Sequence, residues 1–251
     1  MAIIYEVNPP RTDPQETLDE RISAQMSRVD EISSICDGIH VTDSVLGRRR
    51  ASAISIASRI KQVHQNLQIT VSMRTRDRDI TEIIRQAEEC AAAGISGILV
   101  LMGDPASDAI GANSNLVPSM VAGRLARIWK SDLQIYLSLP ANPNFAKIQK
   151  KINAEPTGFV TQVIHTEQQA VRICDMLKPI GFRIVPCVLL PSAKNEASAR
   201  FLGLDWSSYR NDPLQFARRI HDIAGDILIT SPNDFAAARE LLYRAKYSAS
   251  G

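Results

Sequence analysis

Apolar positions along the chain fall into short continuous runs separated by longer stretches of helical period. Residues 3–5, 38–42, 67–73, 97–102, 134–139, 158–164, 183–190 and 226–230 read as strands. The run Gly97-Ile98-Leu99-Val100-Leu101-Met102 has no polar alternation, which is the mark of a strand covered on both faces. Between these runs, residues 16–32, 48–63, 79–93, 117–130, 144–153, 166–178, 193–202, 211–224 and 233–246 read as helices. Leu18, Ile22, Met26 and Val29 keep a 3.6-residue period in the first, and Ile54, Ile56, Ile60 and Val63 follow a helical pattern in the second. Gly94 and Gly181 suit helix ends, where a left-handed residue closes the last turn. Eight strands, each followed by a helix, predict an α/β protein of the (β/α)8 TIM-barrel class. One such domain spans residues 1–251, with a frayed tail at 248–251. No G-x-G-x-x-G follows the first strand, which argues against an open dinucleotide-binding sheet.

Composition narrows the function classes. A net charge of +2 over 251 residues gives no case for nucleic acid or a membrane surface. No apolar run approaches the ~18 residues of a membrane span, and the N-terminus has no signal-type core. Cys36, Cys90, Cys174 and Cys187 lack C-x-x-C spacing and read as reduced, packed thiols of a cytoplasmic protein. His40 and His165 have no metal-ligand spacing, so no metal site is expected and both read as packed or surface histidines.

In a barrel of this class the site lies at the C-terminal strand ends. Those ends carry Glu6, Thr42, Ser72 with Arg74, Asp104, Ser138, Gln162, Pro191, and Thr230 with Ser231. Glu6 ends an apolar strand that Pro9 and Pro10 stop. A carboxylate there is either an ion pair, with Arg11 for example, or a functional group. Two carboxylates and a glutamine among small polar groups suit a polar heterocycle, although strand ends can carry such residues simply to be solvated. Arg48-Arg49-Arg50 reads as a solvated charge run, or as an anion site at the start of a helix.

Glu6-Val7-Asn8-Pro9-Pro10-Arg11-Thr12 resembles the opening motif of the methylenetetrahydrofolate reductases. Val41-Thr42, Leu101-Met102-Gly103-Asp104-Pro105, Val160-Thr161-Gln162 and Val188-Leu189-Leu190-Pro191 resemble further family segments in the same order. The resemblance implies a catalytic barrel, without the regulatory domain of eukaryotic members, that reduces a methylene-pterin to a methyl-pterin with FAD as cofactor. It implies Glu6 as proton donor and Asp104 as stabiliser of the cationic intermediate. It implies Gln162 as a substrate-binding residue, and Thr230 and Ser231 at the last strand end are assigned to the substrate with it. Toward FAD it implies Thr42, Ser72, Gly103, Asp104, Lys147, Lys150 and Lys151. The flavin side departs from the family pattern. Met102 stands where the family has arginine, and Ser72 where it has histidine. Residues 43–47 replace a glycine-rich stretch, residues 139–143 lack the family's tyrosine and histidine, and Val163-Ile164-His165 replace aromatic residues. These departures predict weaker FAD binding. They also leave open a flavin-free pterin barrel that transfers a one-carbon unit, or a non-catalytic subunit of a reductase complex. The expected partners are a pterin or folate, a protein electron donor or homologous subunit, and further copies of the chain in a homo-oligomer.

Overall fold

The computed structural model describes residues 2–12, 17–43, 49–105, 114–129 and 132–247. Strands β1 (Ala2–Val7), β2 (Gly38–Val41), β3 (Gln68–Arg74), β4 (Gly97–Leu101), β5 (Gln134–Leu139), β6 (Gly158–Val163), β7 (Arg183–Leu189) and β8 (Asp226–Thr230) close into a barrel in chain order. Every neighbouring pair is parallel, and β8 returns to pair with β1. The helices that follow are α1 (Leu18–Ile32), α2 (Ala53–Val63), α3 (Ile80–Ala92), α4 (Pro118–Trp129), α5 (Gln149–Ile152), α6 (Glu167–Leu177), α7 (Glu196–Phe201), α8 (Pro213–Ala224) and α9 (Phe235–Tyr247). The regular right-handed alternation of strand and helix gives the (β/α)8 fold.

The larger apolar core lies between the barrel wall and the helices. Ile39, Val41, Ile69 and Val71 belong to it together with Ile56 and Ile60 of α2. Removing each such isoleucine from water stabilises the fold by roughly 1.5–3 kcal/mol. A second, separate cluster of Ala2, Ile4, Leu99, Tyr136, Val160, Val185, Cys187 and Leu228 fills the barrel interior. Beneath it, Arg183 forms a two-point ion pair with Asp226 and donates to Tyr136 Oη at 3.1 Å. This polar floor closes the N-terminal end, leaving a void of only about 20 Å³ above it.

Helix starts follow their caps. Ser52 accepts from Ser55 N, Asp79 from Glu82 N, and Thr166 with Gln169 makes a reciprocal capping box. Three expectations change. The stretch 144–153 is not one helix: a 3-10 turn, Phe145–Lys147, precedes the single turn of α5. Helix α2 begins at Ala53 rather than 48, so Arg49 and Arg50 precede its cap; Arg50 pairs with Arg11 in an isolated bridge, and its guanidinium donates to the Pro9 carbonyl at 2.6 Å. Leu18 and Val63 are exposed, and Ile32 and Ala57 are buried in their helices instead. Residues 44–48, including Arg48, and the tail 248–251 lie outside the described residues. Among the described residues no helix is long and apolar enough to cross a membrane.

Candidate active site

A cavity of about 500 Å³ opens at the C-terminal mouth of the barrel. Its lining includes Glu6, His40, Thr42, Ser72, Gly103, Asp104, Thr161, Gln162, His165 and Cys187. Glu6, Thr42, Ser72, Gly103, Asp104 and Gln162 of the sequence assignments therefore meet around one space. Thr230, Ser231, Lys147, Lys150 and Lys151 do not line it.

Glu6 is the most constrained of these groups. It projects inward from β1 two positions above Ile4, and its backbone neighbour across β2 is His40. Thr230 Oγ1 donates to Glu6 Oε1 at 2.6 Å. Asn8, just past the strand end, also hydrogen-bonds the carboxyl, and Asn8 Oδ1 is itself held by Thr42 Oγ1 at 2.7 Å. Burial raises the Glu6 pKa above the ordinary carboxylate value. The bonds from Thr230 and Asn8 and the charge of Arg50 oppose that rise without cancelling it. Arg11, the ion-pair partner that adjacency in sequence suggested, is exposed. Thr42 and Thr230 thus support the carboxyl from either side: Thr42 has its hydroxyl proton on Asn8, and Thr230 has its own on Glu6.

The Gly103–Asp104 turn is built from the neighbouring strand. Arg74, 3% exposed at the end of β3, donates from Nη2 to Asp104 O at 3.2 Å, and Arg76 Nε donates to Gly103 O at 3.0 Å. Gly103 has φ +83°, and a Cβ on it would lie 2.5 Å from Arg74 Nε. Only glycine fits both the left-handed backbone and that approach. Asp104 itself is exposed at the rim, as is Met102 at 48%.

Gln162 owes its position to an irregularity in the sheet. Val160 pairs with Val185 but Val163 pairs with Cys187, so β6 carries one extra residue against β7. Such a bulge re-aims side chains at the mouth of a barrel. Thr161 Oγ1 accepts from Cys187 N at 3.0 Å and satisfies an amide at this irregular pairing. Gln162 is left exposed at the rim, with donor and acceptor both available to a ligand.

The remaining assignments have structural partners. Ser231 Oγ donates to Asp234 O and accepts from the buried Asn195, whose amide also reaches Leu190 O. This network ties the loop after β7 to the loop after β8. Lys151 turns inward onto the carbonyl of Ser138, and burial lowers its pKa. Lys147 and Lys150 are exposed on the outer side of α5 and the turn before it.

The side chains at the site that the sequence reading did not place there are Asn8, His40, His165, Gln169 and Cys187, of which the two histidines and the cysteine were read only as packed or surface groups. His40 is 4% exposed inside the barrel, between Thr70 and Ser72, and burial lowers its pKa to about 4. The alternation His40/Thr42 and Thr70/Ser72 on adjacent strands was the available signal, since it marks a polar inner face.

A family model described as methylenetetrahydrofolate reductase matches residues 1–205, most of the chain. The chain belongs to the methylenetetrahydrofolate reductase family. Among curated proteins none matches the chain. The matched segment holds Glu6, Asn8, Thr42, Asp104 and Gln162, all at the mouth. It ends before β8, so Thr230, which completes the hydrogen bonding of Glu6, lies beyond it. The mouth thus brings together a half-buried carboxyl of raised pKa, an exposed carboxylate and an exposed amide.

Proposed function

We propose that this barrel reduces a methylene-pterin to the methyl-pterin, with Glu6 as the proton donor. The observation that carries the reading is Glu6 itself: a carboxyl of raised pKa, fixed by Thr230 and Asn8, facing a cavity large enough for a fused-ring ligand. Opening the five-membered ring of the substrate needs a proton on the departing nitrogen, and an acid that stays protonated nearer neutrality supplies it best. The cation so formed is stabilised by negative charge, and Asp104 at the rim is the group suited to that. Gln162 is suited to the pterin edge through its carbonyl and amide.

The cavity lining sets the small polar groups Thr42, Ser72 and Thr161 beside the apolar Leu99, Val160 and Leu228, a mixture suited to a planar heterocycle such as a flavin ring. When bound, FAD would supply the hydride. Ser72 and Gly103 would hold its ring side. Among the described residues the dinucleotide tail is less well provided for, because Lys147 and Lys150 lie off the cavity and Lys151 is committed to Ser138. That observation favours a second reading, in which the barrel binds a reduced pterin without FAD and passes on its one-carbon unit. Titration of the purified protein with FAD, followed by flavin fluorescence, and then with tetrahydrofolate, separates the two. The main reading expects saturable binding of both, with FAD held in the micromolar range or weaker. Tetrahydrofolate binding without FAD binding would support the second reading, and binding of neither would refute both.

A further inference from the structure

The least conventional feature of the mouth is the chain Thr70–His40–Ser72. His40 Nδ1 lies 2.8 Å from Thr70 Oγ1, and Nε2 lies 2.9 Å from Ser72 Oγ. His40 lines both the small void above the barrel floor and the large cavity above it. Thr70 lines only the lower void, and Ser72 only the upper cavity.

A neutral imidazole has one donor nitrogen and one acceptor nitrogen. The chain therefore has two polarities. In one, Nδ1–H donates to Thr70 and the Ser72 hydroxyl donates to Nε2, so Ser72 shows only lone pairs to the cavity. In the other, Thr70 donates to Nδ1 and Nε2–H donates to Ser72, which frees the Ser72 proton for a ligand. Exchange between them moves one proton from one ring nitrogen to the other and changes no net charge. A guanidinium or a backbone N–H has no such freedom, because it can only donate.

Ligands whose hydrogen-bonding polarity reverses during a reaction are reducible nitrogen heterocycles. A ring nitrogen that accepts in the oxidised form carries N–H, and donates, once reduced. Flavins and pterins share this chemistry; in the reaction proposed above the flavin ring is the one that changes oxidation state, and the pterin ring stays at the tetrahydro level. We propose that His40 is a positioning residue whose tautomer sets Ser72 as donor toward the oxidised ring and as acceptor toward the reduced ring of a bound flavin or pterin. This rests on the functional reading above. It accounts for a buried histidine with a hydroxyl on each nitrogen, and it gives Thr70, which does not face the large cavity, a part in ligand binding.

The test uses the intact chain labelled with ¹⁵N at histidine, with the His40 signals assigned from His40→Gln. Long-range ¹H–¹⁵N spectra are recorded with oxidised FAD and with dithionite-reduced FAD, then with folic acid and with tetrahydrofolate. The expected result is Nε2–H with the oxidised member and Nδ1–H with the reduced member of one pair, and the pair that responds identifies which ring meets Ser72. Thr70→Val should change the ratio of oxidised to reduced dissociation constants for that pair by about 3- to 10-fold, the span of one net hydrogen bond. Its thermal transition, measured in parallel, shows that the variant is folded. A His40 tautomer unchanged across both bound pairs, or an unaltered ratio in Thr70→Val, would overturn the proposal and leave the functional reading standing. Failure of both FAD and folates to bind would overturn the reading and the proposal together.

Discussion

Replacing Glu6 with glutamine should make the protein more stable as well as less active. Glu6 is half-buried between its strand neighbours and faces the mouth cavity, and burial raises its pKa against the opposing effects of Thr230, Asn8 and Arg50. A group whose folded pKa lies above its unfolded value contributes stability at low pH. That contribution is lost as pH rises through the folded pKa. Ionised Glu6 therefore costs the wild-type fold free energy at neutral and higher pH, whereas a glutamine costs nothing further. Glutamine keeps the shape and still accepts the bond from Thr230 Oγ1, so the comparison isolates the charge. The net cost of a half-buried, partly compensated charge is on the order of 1 kcal/mol. For a chain of this size that corresponds to about 2–4 °C in Tm per kcal/mol. Differential scanning calorimetry of both proteins between pH 4 and pH 8 should give matching transitions at the acid end. A growing advantage for Glu6→Gln should follow as pH rises. A variant less stable than wild type at pH 8 would mean that the carboxylate is net stabilised by Arg50, and the argument for a raised pKa would be wrong.

Three further outcomes follow from the geometry. Gly103→Ala forces a Cβ against Arg74 in a left-handed backbone, so it should lower stability by about 1–2 kcal/mol and weaken folate or FAD binding, read by calorimetry and titration. Asp226→Ala leaves Arg183 without its carboxylate at the barrel floor and should cost about 3 kcal/mol in urea denaturation while leaving tetrahydrofolate affinity unchanged. Gln162→Ala removes only a rim amide and should weaken tetrahydrofolate binding by roughly 3- to 10-fold with no change in Tm.

The barrel was legible because parallel strands buried on both faces read as apolar runs, and the runs for β5 and β8 coincide with the observed strands residue for residue. Such runs also hide which side chains face inward, and His40 was read only as a packed or surface histidine for that reason. Its inward direction is visible only when β2 and β3 are set in register, with His40 beside Thr70. The position of Gln162 depends on a bulge between β6 and β7, and no residue in Val160-Thr161-Gln162 announces one. Arg74 was seen as a strand end, but not as the support of a turn on the next strand, because that contact joins residues 30 positions apart. Lys147, Lys150 and Lys151 were assigned through the resemblance to the family, on one continuous helix. The break between Phe145–Lys147 and Gln149–Ile152 sets their directions, and it sends Lys151 inward and leaves the other two exposed.

The central claim is that Glu6 delivers the proton in the reduction of a methylene-pterin. It is tested most directly by anaerobic single turnover: protein loaded with reduced FAD is mixed with methylenetetrahydrofolate, and the methyl product is quantified by mass spectrometry. The wild-type protein should form methyltetrahydrofolate in proportion to bound flavin. Glu6→Gln should form it about 10²- to 10⁴-fold more slowly, the range expected for loss of a general acid, with folate affinity little changed. Equal rates in the two proteins, or no methyl product from wild-type protein that has bound both ligands, would contradict the account.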